Sequence, residues 1–505
     1  MRQIALEWAY LILYNILCID ILQLLYLGIG GINIALTQQL FGRRVLYTDV
    51  DEVTMDNILD VLAKVLPTHT TNRNEIEYLY NYYKGKQPIL EYINTTNPDL
   101  TTDVVVNRAN QIVSFKVGYL MGEPVQYVGR GTEEQISEAV NRLNEYMFAE
   151  DKPSKDKELA DWFTIAGTSY RMILPDGNGE EDEAPFEIYT LDPRDCFVVY
   201  HNGLGNKPKL GVKYVTRETE IIYSCYTDKW YFEISEPVGV GTVVSRVVVK
   251  AIPHALGSIP IFEYPANNAR LGAFEIVLSL LDSINLVSSD RVGAIQKFVQ
   301  AMLMFKGVDI ESEDFLKLKE MGAFKVPIDG DVKYLVQELN QSQTQTLADD
   351  MYDTVLTICG MPTRNSGYSG NNSTGLAVIM RDGWSDAEAR AKDSELMFKL
   401  SEKKFLKLAL RISNQLRDMN LKLANIEIRF TRRNYDNIQS KAQVLTTMLD
   451  NDLIHPRLAY EHCGMFVDPE LAYKESMEYA KVRLQEKEKE LQEFRQQEVV
   501  QARQE

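Results

Sequence analysis

The stretch 271–416 constrains this chain more than any other. Two segments of helical period flank a short insert of mixed character. A Gly/Asn/Ser loop comes next, and then a very long helical pattern. Over 271–305 the apolar residues Phe274, Val277, Leu278, Leu281, Ile284, Ile295, Phe298, Met302 and Phe305 recur at helical spacing, which predicts one helix across that range. The insert opens at Gly307 and holds strand-like runs at 324–327 and 333–336. A second helix is expected over 342–358, stopped by Gly360-Met361-Pro362. The loop 362–373 reads PTRNSGYSGNNS and has no hydrophobic period. Ser373 or Thr374 then caps a helix able to run to residue 416, about 60 Å long at about 1.5 Å per residue. A helix of that length crosses a whole domain and points to an axial or ring-spanning element. Two ordinary helices broken near Gly383 fit the same spacing.

At 505 residues the chain should hold more than one structural domain. Its apolar share of 45% and charged share of 25% are those of a globular protein. The five cysteines (Cys18, Cys196, Cys225, Cys359, Cys463) are odd in number and scattered, with no CxxC pair. That speaks against a disulfide framework or a structural zinc site and for a reducing compartment. His455 and His462 lie on one helical face at best and make no ligand set. No metal or cofactor is expected. The formal charge of −18 is the opposite of what a protein gripping DNA by wholesale phosphate neutralisation should carry, since such affinity comes from Lys and Arg. Nucleic acid could be touched only through local basic positions or without sticking, and taken alone the acidity reads first as solubility.

Residues 4–36 are dominated by Leu, Ile and Tyr, and 21–42 carry no charge, a length able to span a bilayer. Glu7, Asn15, Asp20, Gln23 and Asn33 interrupt the run, and Arg43-Arg44 comes after it rather than before, so a signal peptide fits badly. A membrane anchor, a packing segment and an upstream-start artefact are the three readings. The last is preferred, since Met55 opens an amphipathic helix over 55–66. A Tyr-rich helix (74–84), a helix over 104–121, a strand at 125–128 and helices at 133–145 and 154–166 come next. From 168 to 262 the texture turns to short strands, at 170–174, 186–190, 196–200, 211–215, 221–227, 229–234 and 243–249. Asp192-Pro193-Arg194-Asp195 reads as a turn rather than a reactive site. A strand at 426–431, helices at 437–449, 456–462 and 469–487, and a charged tail complete the chain.

No Walker lysine motif, nucleophile elbow or HExxH appears, and the paired acids Asp349-Asp350 face no placed proton donor. No catalytic residue is assigned and the chain is read as not an enzyme. An energy source for moving a polymer would have to sit on another protein.

Four strings, in order, resemble the portal protein family of tailed bacteriophages, in the branch typical of siphophages of Gram-positive hosts. Tyr82-Tyr83-Lys84-Gly85-Lys86-Gln87-Pro88-Ile89 resembles its YYxGxxPI. The run from Asn107 to Pro124 resembles its NxxxxIVxxKxGYLxGxP. Ser258-Ile259-Pro260-Ile261-Phe262-Glu263-Tyr264-Pro265-Ala266-Asn267-Asn268 with Leu281-Asp282-Ser283-Ile284-Asn285 resembles the approach to its stem. Phe430-Thr431-Arg432-Arg433-Asn434 with Leu453-Ile454-His455-Pro456 resembles the run into its crown. The cover is about 55–490.

The resemblance implies an α+β, mostly α fold: a portal-type subunit with wing, helical stem, small α/β clip and helical crown, assembling into a ring. Its parts would be an atypical extension at 1–54, the wing at 55–265, stem helices at 266–306 and 341–358, the clip at 307–340, the tunnel loop at 359–374, a long wing helix at 375–425 and the crown and tail at 426–505. It implies a homo-dodecameric channel at one capsid vertex, through which double-stranded DNA is packaged and ejected without sequence reading. The partners implied are a terminase motor, a head-completion or adaptor protein, and the scaffold and major capsid proteins. The location implied is the virion, after assembly in the host cytoplasm. A membrane-anchored scaffold using 4–36 is the alternative. The loop residues Arg364, Asn365, Tyr368 and Asn371 become DNA-near candidates, with Arg291 and Lys297 on the stem. Lys317, Lys319, Lys325 and Lys333 become contact candidates on the clip.

Overall fold

The computed structural model describes residues 40–91, 103–130, 134–176, 183–238, 246–299, 302–306, 331–335, 341–363, 383–431, 438–466 and 469–501. The chain divides into two compact units. The smaller comprises Met1–Leu40, Asn81–Asn110 and Val277–Cys359, and the larger Phe41–Tyr80, Gln111–Ile276 and Gly360–Glu505.

The larger unit is built on a six-stranded sheet in the order β1-β5-β6-β7-β8-β9. Its strands are β1 (Leu46–Thr48), β5 (Cys196–His201), β6 (Pro208–Thr216), β7 (Glu220–Tyr226), β8 (Trp230–Pro237) and β9 (Val247–Pro253). β1 joins β5 in parallel, and every other pairing is antiparallel. Alternation along β5 sends Phe197 and Val199 to one face and Cys196 and Val198 to the other, and both faces are covered. The first face receives Ile58, Val61, Leu62 and Val65 from helix α1 (Ile58–Tyr83). The second meets a three-stranded sheet, β10-β3-β4, made of β3 (Thr168–Pro175), β4 (Phe186–Leu191) and β10 (Ile261–Pro265). Gly211 allows that approach: a Cβ there would lie 2.6 Å from the Ile259 side chain and 3.1 Å from Ile261.

The three-stranded sheet carries α4 (Lys152–Ala166) and α7 (Trp384–Arg417). A separate two-stranded sheet pairs β2 (Gln126–Gly129) with β13 (Ile426–Arg429), and α3 (Glu134–Ala149) packs on β2. Near the C-terminus, α8 (Ile438–Leu449) and α9 (Pro456–His462) share a small core of Leu445, Ala459 and Cys463. Helix α10 (Pro469–Gln501) comes last and packs on α9.

In the smaller unit, α5 (Leu278–Val299) packs on α6 (Gln341–Cys359). The strands β11 (Met302–Lys306) and β12 (Asp331–Leu335) pair antiparallel, with Met302 opposite Leu335 and Lys306 opposite Asp331. α2 (Arg108–Leu120) begins in this unit and continues into the larger one.

Four expectations change. The helix expected over 271–305 runs only over Leu278–Val299, after a 3₁₀ turn at Glu275–Val277, and Met302 and Phe305 belong to β11. A continuous apolar run such as Met-Leu-Met-Phe has no period of its own, and pairing with β12 decides its state. The long helix begins at Trp384, about 51 Å long at about 1.5 Å per residue. Gly383 sits at φ 81°, so no helix passes through it. The helices expected at 55–66 and 74–84 are one, α1, which contains Pro67. Tertiary bonds override the proline. The Asn72 amide brackets the Arg44 backbone (2.9 Å to its N–H and 2.8 Å to its carbonyl), and Ile76 and Leu79 are buried. The helix expected from 104 starts at Arg108, because Val104 and Val106 donate their N–H groups to Ser289 and Asn285 of α5, both at 2.9 Å. Strands β1 and β10 have no counterpart among the expected elements. The turn at Asp192 is present, with Arg194 N–H donating to the Asp192 carboxylate at 2.9 Å. Residues 1–39, which carry the membrane-anchor reading, lie outside the described residues. Among the described residues no helix is long and apolar enough to cross a membrane.

His69 of α1 shows how tightly this face is closed. Tyr214 donates its hydroxyl hydrogen to the Arg194 carbonyl at 2.9 Å, so the His69 Nε2–H, at 3.0 Å, donates to the Tyr214 oxygen. Burial pushes the imidazole down to about 4 from an ordinary 6.5, and nearby Arg73 pushes the same way. The neutral form is favoured in the fold, so this contribution is complete above pH 6.5 and is lost as pH falls towards 4. We expect denaturant melts to show a loss of about 3 kcal/mol across that window, and His69→Gln to flatten the slope there.

Candidate functional site

Parts of three of the four sequence strings meet around α5. Tyr82 donates to the Asp282 carboxylate at 2.8 Å. Asn285 donates to Gln87, and Gln87 donates to the Asn107 side chain and the Tyr82 carbonyl, both at 3.2 Å. Asn107 donates to the Tyr83 carbonyl at 3.0 Å. Asn285 and Gln87 are buried, so each of these amides satisfies another that would otherwise be stranded. Arg108 lies over the Tyr352 ring of α6 at 3.9 Å. The strings around 82–89, 107 and 282–285 thus form one polar lock at the root of the α5/α6 pair. Sequence reasoning matched the strings without finding the lock. Its signal was Asp282 and Asn285 on an otherwise apolar stretch of α5, with Gln87 and Asn107 just before helical turns.

The pair changes character along its length. At the root, Leu281, Ile284, Val355, Leu356 and Cys359 are buried. Towards the ribbon end, Val292, Ile295 and Leu347 are exposed, Leu347 by half its surface. Arg291 is half-buried on α5. Asp349 and Asp350 are exposed on α6, where Gln345 donates to Asp349 at 2.7 Å. Lys297 lies on α5 and Lys333 on β12, and their side chains are outside the described residues. Lys317, Lys319, Lys325, Arg364, Asn365, Tyr368 and Asn371 also lie outside them.

The ends of the 364–382 segment are held close together. Gly360 at φ 63° and Gly383 at φ 81° bracket it, and a Cβ on Gly383 would lie 3.7 Å from both the Met361 carbonyl and Pro362. Trp384 and Glu388 of α7 reach α2: the Trp384 ring stands about 6 Å from Phe115 and Tyr119, and Tyr119 donates to Glu388 at 2.9 Å. Gly360 also makes room for Arg390, which a Cβ would meet at 2.1 Å.

The rest of the third string, Ser258 to Asn268, feeds two buried charged clusters in the larger unit. Glu263 accepts from Thr168 at 3.0 Å, Tyr200 at 2.7 Å and Arg270 at 2.6 Å. Beside it Tyr264 donates to Glu402 of α7 at 2.7 Å. Glu402 also accepts from Tyr127, and pairs with Lys152 at 3.0 Å and Arg171 at 3.3 Å. Asp156 binds Lys152 at 2.7 Å and also Arg171. Two cations and two carboxylates therefore balance, with Arg171 and Glu402 fully buried. Burial pushes the Glu402 carboxyl up, but Lys152, Arg171 and the two tyrosines outweigh it and leave it below the ordinary 4.5. Burial and Glu402 hold both tyrosine hydroxyls well above their usual range. The cluster is sealed and neutral, a structural joint rather than a reacting centre. No group of side chains suited to a metal ion occurs among the described residues.

Residues 62–494 match the family described as phage portal protein, SPP1 Gp6-like. The chain belongs to the phage portal protein family. Among solved structures, a chain from the neck of an empty GTA particle computed with C6 symmetry is similar at 12% identity and a TM-score of 0.43, over 73% of this chain and 92% of that one. A chain from the neck of a native GTA particle computed with C12 symmetry is similar at 13% identity and a TM-score of 0.39, over 71% and 89%. No curated protein sequence matches the chain.

Two outcomes are expected. Glu402→Gln leaves Lys152 and Arg171 short of one charge and should cost about 3–5 kcal/mol in urea unfolding. The Glu402 contribution is present above pH 4.5 and is lost in acid, as pH falls through the lowered folded value. Gly360→Ala must strain a positive φ and displace Arg390, and should lower stability by at least about 1 kcal/mol in the same assay.

Proposed function

We propose that copies of this portal-family chain close into a ring, a dodecamer in the virion, whose channel passes double-stranded DNA into and out of the capsid at one vertex. The observation that carries this reading is the family match across 62–494. The α5/α6 pair supports it: its root is packed, while Val292, Ile295 and Leu347 are left uncovered, as a helix pair flanked by neighbouring copies requires.

In this reading α5 and α6 are the stem, β11 and β12 are part of the clip, and 359–374 is the tunnel loop. Arg364, Asn365, Tyr368 and Asn371 lie near the DNA, with Arg291 and Lys297 along the stem. Isolated basic positions on a chain of charge −18 give weak, salt-screened phosphate contacts. Such contacts let a duplex move without reading its bases. Lys317, Lys319, Lys325 and Lys333 present the clip to a terminase motor and later to a head-completion or adaptor protein. The scaffold and major capsid proteins surround the ring. The chain performs no catalysis, and ATP hydrolysis belongs to the motor. Assembly takes place in the host cytoplasm.

The test is deletion of 367–372. Electron micrographs should still show closed rings, while packaged DNA per particle falls by on the order of tenfold. Normal packaging by such rings would remove the tunnel-loop assignment. Absence of rings from the unaltered chain would remove the portal function itself.

A further inference from the structure

Helix α10 stands apart from the rest of the larger unit in how little covers it. It is 33 residues long, and only its first turns touch α9, where Tyr473 meets Tyr460 at 5.8 Å and Arg457 pairs with Glu470 at 2.7 Å. Every residue from 477 to 490 is exposed, including Met477, Tyr479, Val482 and Leu484. Among the described residues no ion pair forms within that stretch. A lone solvated helix draws its stability from such pairs or from a partner.

The sequence along α10 has a period. Tyr473, Met477, Ala480, Leu484, Lys487, Leu491 and Phe494 are spaced alternately by four and three residues. This is the 3.5-residue repeat of a coiled-coil seam, with Met477, Leu484 and Leu491 at one core position and Ala480, Lys487 and Phe494 at the other. The seam is narrow, two positions in seven, which suits two strands. The flanking charges then decide direction. In a parallel, in-register pair each residue before the first core position faces, on the partner helix, the residue five places later. Arg483 then faces Glu488, and Glu490 faces Arg495. Both pairs are of opposite sign, and the remaining one, Ser476 with Lys481, is neutral in effect. Lys487 interrupts the apolar seam, and in register it meets its own copy, so its long stem must carry the ammonium group past the seam into water.

We propose that α10 is a self-association element, pairing in parallel and in register with α10 of a second copy of this chain. The pairing goes beyond the channel function and does not require it. In a closed ring, where all copies share one direction, each α10 would join that of one neighbour, so that the helices at this level stand in twos.

The full-length chain is tested by disulfide trapping with a mild oxidant, against the unaltered chain as background. Met477→Cys and Leu484→Cys should each give covalent dimers, and Lys489→Cys, on the outer face, should give at least about fivefold less. Arg483→Glu added to Leu484→Cys should lower the dimer yield several-fold, and further addition of Glu488→Arg should restore it. Trapping at Leu484→Cys but not Met477→Cys would mean antiparallel contact and overturn the proposal. So would equal trapping at Lys489→Cys, or none at all. Electron micrographs of the same samples report on rings separately, so loss of the seam and loss of the ring are distinguished.

Discussion

Glu402 is the point on which the larger unit depends. One carboxylate from the middle of α7 meets a lysine from α4, an arginine from β3, and tyrosines from β2 and β10. A buried charge tolerates only partners placed within hydrogen-bonding distance, so each element is held in both position and rotation about its axis. Hydrophobic contact alone would leave α7 free to slide by a turn over the sheet. The network fixes which turn. Asp156 completes it by balancing the second cation, and the result is neutral even though the chain as a whole carries −18. The net charge of the chain therefore lies outside this joint.

The elements that could be read from sequence were those whose patterns are local. The Val, Phe and Tyr content of Cys196–His201 and the turn residues at Asp192 announce a strand and a turn without help from elsewhere. Four of the differences share one cause, a distant partner. Met302–Lys306 is a strand because Asp331–Leu335 pairs with it. Val104 to Asn107 is extended because Ser289 and Asn285 take its donors. Helix α1 passes Pro67 because Asn72 is tied to Arg44. β1, three residues long, exists only as a parallel addition to β5. The functional strings were legible as strings. That Asn285 binds Gln87, 198 residues earlier, was not, since no spacing in sequence encodes a contact over that distance. The loop candidates and Lys317, Lys319 and Lys325 lie outside the described residues, while Lys333 falls on β12.

The two units handle uncovered apolar surface differently. In the smaller unit it collects where α5 and α6 run towards the ribbon, beyond the polar lock that secures their root. In the larger unit it collects along α10, beyond its contact with α9. In each case one end of a helix is anchored by specific polar or aromatic contacts, and the other is left to be completed by something else. Each such end leaves apolar surface in water that an association would cover.

The arrangement around Gly360 and Gly383 has a practical consequence. The closing cost of a loop rises only slowly with its length, by about 0.6 kcal/mol per doubling, once its two ends are held together by the scaffold. Here Met361, Pro362 and Gly383 adjoin, and Trp384 is secured against α2. By that relation, doubling or halving the number of residues between these two anchors changes the closing cost by only about 0.6 kcal/mol. The two anchors therefore set where the chain leaves and rejoins the larger unit, and an insertion between them leaves Gly360, Gly383 and Trp384 with their present contacts.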